Sequence, residues 1–161
     1  MVTAEILREL LHYDPNTGEF WWQVPLANVK RGDRAGTYRY GYRVIRINDE
    51  TYPAHRLAWL YVHGVWPTNE IDHINRDRAD NRMCNLREAT RRQNMANIAK
   101  PVTNTSGLKG AFWNKNNRKW IAQISFDNKK VYLGSFESAE VAHAAYCQAN
   151  ARLNGQFANA G

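Results

Sequence analysis

Asp72 and His73 stand side by side in this chain, and amides follow at Asn81, Asn85 and Asn94, the last two 13 and 22 residues beyond Asp72. A carboxylate offers charge to a hard divalent ion such as Mg²⁺ or Mn²⁺, and an amide offers a neutral oxygen. An imidazole with an ordinary pKa near ~6.5 can take a proton from water at neutral pH and turn it into a nucleophile. These groups meet if Asp72-His73 ends one strand, Leu86-Arg87 belongs to a second, and Arg91 to Ile98 forms a helix. That arrangement is a ββα unit clasping one ion. Asp and Asn are also turn formers, and Asn75-Arg76-Asp77, Asp80-Asn81 and Asn85 read equally well as loop caps. On the residues alone, both readings stand.

The flanking elements follow from pattern. Thr3 predicts the cap of a helix through His12, with Ile6, Leu7, Leu10 and Leu11 on one face, ended by the turn Asp14-Pro15-Asn16-Thr17-Gly18. Glu19 to Val24 and Gly41 to Ile47 read as strands, and Asn48-Asp49-Glu50 turns the chain toward Thr51-Tyr52. His55 to His63 reads as an amphipathic helix closed by Gly64 and Pro67. Within it, His55 is expected to pack and hydrogen bond behind the site. His63 falls at the helix C-terminus, while His12 and His143 lie outside any cluster. The polar stretch 100–107 is the expected linker, which divides the chain into residues 1–103 and 104–161.

Composition narrows the partner class. The 161 residues carry 22 Lys+Arg against 15 Asp+Glu, a formal charge of +7. Of these, 7 Lys+Arg against 3 Asp+Glu fall in residues 104–161. The excess points to a polyanion. No run of ~18 apolar residues is present to form a membrane span, so no membrane partner is expected. The first residues lack the charged-then-apolar pattern of a secretion signal. Cys84 and Cys147 form neither a Cys-x-x-Cys pair nor a disulfide framework, which suggests a reducing cytoplasm. Lys30-Arg31-Gly32-Asp33-Arg34, with Arg39, Arg43 and Arg46 expected to be exposed, would extend contacts along a duplex.

Residues 71–97 resemble the core of the HNH homing-endonuclease family, in the variant whose motif runs Asp-His, Asn-Arg, Asn-Leu-Arg and then a helix bearing Asn where other members have the final His. Tyr52 and His55-Arg56-Leu57-Ala58-Trp59 are similar to what precedes that motif in phage and intron-encoded nucleases. The resemblance implies an α+β fold with a ββα-metal core after a β-rich N-terminal region, and hydrolysis of DNA by His-activated water. It implies Asp72 and Asn94 as metal ligands, His73 as general base, and Asn85 as the amide that holds the loop and orients His73. Arg76, Arg82, Arg87, Arg91 and Arg92 become candidates for the phosphates flanking the cut. Since a neutral amide binds borderline metals less well than imidazole, one Mg²⁺ or Mn²⁺ is expected rather than zinc. A monomer acting on double-stranded DNA in the cytoplasm of a bacterial host, with no obligate protein partner, completes what the resemblance implies.

Residues 107–158 carry a different pattern: Gly107-Leu108-Lys109-Gly110, alternating strands at 120–126 and 129–136 about an Asp127-Asn128 turn, and an alanine-rich helix at 139–153. Val141, Ala142, Ala145, Tyr146 and Ala149 are expected to pack on the sheet. Trp113 and Trp120 read as core. Through Trp120-Ile121-Ala122-Gln123-Ile124, Tyr132-Leu133-Gly134-Ser135-Phe136 and Ala144-Ala145-Tyr146, the segment resembles the plant ethylene-response-factor (Apetala-type) DNA-binding domain, a small three-stranded antiparallel sheet with one packing helix. The positions matching that family's base readers are Phe112, Asn114, Gln123, Ser125, Lys130 and Tyr132. Lys109, Lys115, Arg118 and Lys129 match its phosphate contacts.

Overall fold

In the computed structural model, which describes residues 1–26, 28–100, 104, 106–127 and 129–161, the chain divides into two compact units, Met1–Ala89 and Thr90–Gly161. The division falls before the expected boundary near residue 103, because the helix after Thr90 packs against the C-terminal helix of the second unit. Residues 101–103 and 105 of the expected linker, and Asn128 of the expected turn, lie outside the described residues.

The first unit opens with α1 (Ala4–Leu10), whose cap Thr3 accepts the Ile6 N–H at 3.4 Å. The helix ends at Leu10 rather than His12, since Leu11–Asp14 becomes β1 and pairs with β2 (Glu19–Trp22). Cross-strand rings compensate for the lost helical turn: Tyr13 and Phe20 lie 4.6 Å apart. Between the strands, Asp14 accepts the Asn16 N–H at 2.9 Å. Gly18 takes φ +75° there, and a Cβ on it would meet the Arg82 amide nitrogen at 2.5 Å. Only glycine lets this turn press on the loop before β7.

A meander follows: β3 (Thr37–Arg39), β4 (Tyr42–Ile47) and β5 (Glu50–Pro53). Ile45 and Ile47 face the core, and Arg43 lies on their face, only 5% exposed. Arg43 was expected outside. Its guanidinium instead donates to the Ala35 carbonyl at 2.8 Å and faces Glu19 at 3.6 Å, so its charge is neutralised within the unit. Arg34 is also paired with Glu19, and Arg46 with Asp49 at 2.7 Å. From β5 the chain enters α2 (Ala54–His63), which buries Ala54, Leu57, Ala58 and Leu60 and closes on Gly64 at φ +77°. Leu7, Leu11, Phe20, Ile45, Leu57 and Leu60 form the fully buried centre of this unit. Each contributes about 1.5–3 kcal/mol relative to exposure. The last two strands, β6 (Glu70–His73) and β7 (Leu86–Ala89), are antiparallel, with Asp72 opposite Arg87 and His73 opposite Leu86.

The second unit starts at α3 (Arg91–Asn97), where Thr90 and Gln93 form a reciprocal capping box. β8 (Ala111–Asn114), β9 (Lys119–Phe126) and β10 (Lys129–Phe136) make a sheet with β9 in the centre, and α4 (Ala139–Asn154) lies across one face. Ala111, Ala122 and Ala142 form its buried centre, with Trp120, Leu133, Phe136 and Ala145 packed around them. Two expectations fail here. Val141 is 54% exposed, since the packed stripe of α4 runs through Ala142, Tyr146, Ala149 and Asn150. Trp113 is 45% exposed, resting edge-on against Trp120 at 5.5 Å near the end of the sheet. No described helix is long and apolar enough to cross a membrane.

Candidate active site

β6 is buried on both faces, since Ile71, Asp72 and His73 are all covered. Successive strand residues point to opposite sides, so His73 and Asp72 leave the strand in opposite directions. His73 faces the aromatic side. Its ring lies edge-on to His55 at 5.1 Å and 6.1 Å from Tyr42, which itself lies 5.4 Å from His55. Burial pushes the His73 pKa below the ordinary imidazole value, against the opposing pull of Asn81 and of Asp72, Asp80 and Asp77. His73 is therefore neutral at pH 7 and able to accept a proton.

Its orientation comes from Asn81, itself 1% exposed. The Asn81 Nδ2 donates to the Ala79 carbonyl at 3.2 Å, which turns Oδ1 toward His73 Nε2, also at 3.2 Å. An acceptor at that position assigns the proton to Nε2 and leaves Nδ1 as the basic nitrogen. The Tyr13 hydroxyl donates to the Asn81 carbonyl at 2.7 Å, and the Met83 N–H donates to Pro15 at 3.0 Å, so the first hairpin clamps this loop from behind.

Asn85, expected to hold the loop and orient His73, does the first directly. Its Oδ1 accepts the Asn75 N–H and its Nδ2 donates to the Asp80 carbonyl, both at 2.9 Å, while its own carbonyl accepts Ile74 N–H. The imidazole contact belongs to Asn81 instead. Within the loop, Asp80 accepts two bonds from the Arg82 guanidinium, at 2.8 and 2.7 Å, one from the Arg82 backbone N–H at 3.3 Å, and one from Asn75 at 2.7 Å. These donors, Arg82 first, hold its carboxyl down at about 2. Arg82 is thus tied to the loop, whereas Arg76 is exposed at φ +68°.

On the other side of the strand, Asp72 is 4% exposed, and Arg87 reaches its Oδ2 through both Nε at 2.9 Å and Nη2 at 2.8 Å. Arg87 was expected on phosphate. It serves first as the counter-charge that makes burial of this carboxylate tolerable. Asp72, His73, Asn85 and Arg87 are therefore brought together in the first unit. Asn94 lies half-buried on α3, in the second unit.

His55 packs behind His73 as expected, but its Nδ1 is buried without a hydrogen-bond partner. Desolvation, with His73 and Arg56 adding to it, pushes its pKa to about 3. It is too weakly basic to compete with His73.

Among the described residues no three or more His, Cys, Asp and Glu side chains converge. The donor chemistry at Asp72 is that of a hard oxygen ligand, which fits an ion that keeps much of its shell as water and phosphate oxygen.

The six expected base readers lie on strands of the second unit. Register places Phe112 opposite Ile121, Asn114 opposite Lys119, Gln123 opposite Tyr132 and Ser125 opposite Lys130. All six readers therefore share the sheet face turned away from α4. Phe112, Gln123, Ser125 and Lys130 line a groove of about 400 Å³ there. Lys115, Arg118 and Lys129 are exposed at turns or strand ends. Lys109 is not so placed: its ammonium donates to the carbonyls of Ala96, Ile98 and Asn159 at 3.3, 2.6 and 3.0 Å, capping the end of α3. Arg92 covers Phe126 at 4.6 Å and reaches Asn154 at 3.1 Å, while Arg91 is exposed.

Two comparisons bear on this site. A family model described as HNH endonuclease matches residues 52–96, from β5 through α2, β6 and β7 into α3. Protein 3.8 of Escherichia phage T7 is 33% identical over 105 residues, spanning 65% of this chain and 86% of that protein.

Proposed function

Because the chain belongs to the HNH endonuclease family, we propose that it is a divalent-metal-dependent DNA endonuclease with His73 as general base. The observation that carries this reading is the buried, neutral His73, whose Nε2 is directed at Asn81 Oδ1 so that Nδ1 remains basic. In the proposed step His73 Nδ1 removes a proton from water as the water oxygen bonds to phosphorus, and the bond to the 3′ oxygen breaks in line with it. Asp72 and Asn94 would hold one Mg²⁺ or Mn²⁺. Such an ion supplies Lewis acidity at the phosphate and charge stabilisation at the departing oxygen. Asn85 keeps the 74–82 loop closed over the strand end, and Asn81 keeps the imidazole in one tautomer.

We assign duplex binding in addition to the free face of the second unit's sheet, where Phe112, Asn114, Gln123, Ser125, Lys130 and Tyr132 share one side and Lys115, Arg118 and Lys129 flank it. The Apetala-type reader and the homing type belong to this proposal, as do a monomeric state and work within a bacterial host.

Incubation with supercoiled plasmid in Mg²⁺ or Mn²⁺, beside His73→Ala and an EDTA control, tests the activity. Nicking by the wild type that His73→Ala and EDTA both abolish is the expected result. A second reading rests on the Arg87 pair at Asp72, which would compete with a metal: a DNA-binding protein whose nuclease core is inactive. Plasmid binding that survives EDTA, with no cutting on addition of either metal, would establish that alternative.

A further inference from the structure

The meander of the first unit contains two two-residue turns of the same kind. Arg39 pairs with Tyr42 around Tyr40-Gly41, and Ile47 pairs with Glu50 around Asn48-Asp49. Both put two successive residues at positive φ, 51° and 82° in the first turn and 47° and 64° in the second. Asn, Asp and Gly are the ordinary occupants of such turns because they tolerate the left-handed region. Tyrosine is not one of them. A bulky side chain held there is an outlier that the surrounding structure must sustain. Tyr40 gains nothing inside the protein in return: it is 93% exposed and, among the described residues, has no ring, hydrogen-bond or ion-pair partner.

Its surroundings point to a ligand. Tyr42, two residues on, lies 6.1 Å from His73, and the Arg78 guanidinium covers the Tyr42 ring at 4.9 Å. A Cβ on Gly41 would stand 3.7 Å from Arg78 Cδ, so the hairpin tip rests on the 74–82 loop. Arg39, which precedes Tyr40, and Arg76 and Arg78 of that loop are exposed. An unpartnered aromatic ring thus stands at the tip of a hairpin that rests on the 74–82 loop, two residues before the tyrosine that faces the proposed general base. Behind the tip, buried Arg43 ties β4 to Ala35 and Glu19, giving the hairpin a rigid root.

Resting on the endonuclease reading above, we infer that Tyr40 stacks on a nucleobase of the bound duplex next to the scissile phosphate, while Arg39, Arg76 and Arg78 hold the adjoining phosphates. Aromatic stacking is tolerant of sequence because every base offers a π face, and a side chain inserted at a base step unstacks it. The ring would set which phosphodiester lies at His73, and it would matter most where the step is easily opened.

Tyr40→Asn is the decisive variant, since Asn suits the backbone conformation and is expected to fold at least as stably as the wild type. Tyr40→Phe keeps the ring. The first readout is permanganate reactivity of thymines in plasmid DNA bound without metal, using the His73→Ala background to prevent cutting. Reactive thymines are expected with the unaltered tip and with Tyr40→Phe, and are expected to be lost with Tyr40→Asn. The second is plasmid nicking with Mn²⁺, expected to fall about tenfold or more in Tyr40→Asn and to persist in Tyr40→Phe. Equal thymine reactivity with Tyr40→Asn, or none with the unaltered tip, overturns the inference even if the plasmid is nicked. Reactive thymines without nicking by the wild type sustain it while sinking the proposed cleavage.

Discussion

His73 Nε2 lies 3.2 Å from Asn81 Oδ1, and this contact between the end of β6 and the following loop selects the imidazole nitrogen that carries the proton. Asn81 is buried, and its backbone carbonyl accepts the Tyr13 hydroxyl, so the amide is held from two directions. Replacing Asn81 by Ala should lower plasmid nicking by about 10–100-fold, the range seen when the partner that orients a metal-bound histidine is removed. Because the Tyr13 bond goes to the backbone, Asn81→Ala should stay folded by circular dichroism. Full activity in a folded Asn81→Ala protein would remove this residue from the mechanism.

The pH dependence of cleavage follows from burial of His73. A general base works in its neutral form, so activity is present above the folded pKa and disappears as pH falls through it. Since desolvation moves that pKa below its ordinary value of 6.5, the acid limb of kcat/KM should lie below pH ~6.5. A limb above neutrality would mean that His73 is charged in the free protein.

His55 makes stability sensitive to acid. Its folded pKa is depressed from 6.5 to about 3, so between those values the unfolded chain binds more protons than the folded one. Stability is then fully present above ~6.5 and is lost as pH falls toward 3, with a limiting slope on the order of 1 kcal/mol per pH unit. In denaturant titrations His55→Leu should flatten this dependence, and its deficit or gain relative to wild type should shift toward gain at pH 5. Parallel stability curves from pH 7 to 4 would contradict the assignment.

Lys109 and Lys130 separate folding from binding in the second unit. Lys109 donates to three backbone carbonyls at the end of α3 and near the C-terminus. Lys109→Met should therefore destabilise the protein by about 1.5–3 kcal/mol, lowering the thermal midpoint. Lys130 is exposed on the sheet. Lys130→Ala should leave that midpoint unchanged, weaken duplex binding and relax its sequence preference. The reverse pattern would exchange their roles.

Much of this site is legible in residue order. Asp72-His73, Asn85 and the helix bearing Asn94 announce a ββα unit because strand and helix periodicities are local and the donor types are chemically explicit. The apolar spacing of α2 and the alternation of β9 likewise indicate which faces pack, whereas in β4 the buried face includes Arg43 beside Ile45 and Ile47. Charge and amide assignments are not local. Arg43, Arg87 and Lys109 look in sequence like any other cations available to phosphate. Whether each meets water or a carbonyl and carboxylate depends on strands and segments 8 to 50 residues away. The choice between Asn81 and Asn85 as the partner of His73 is equally invisible, since both are amides in one loop and only the folded loop, in which Asn81 Nδ2 donates to Ala79 and the first hairpin holds the Asn81 backbone carbonyl, presents Asn81 to the imidazole. Sequence thus determined the chemical inventory and the elements that carry it. Tertiary structure decided which polar groups satisfy one another, because burying a charge or an amide is tolerable only where a partner from elsewhere in the chain arrives within hydrogen-bond reach.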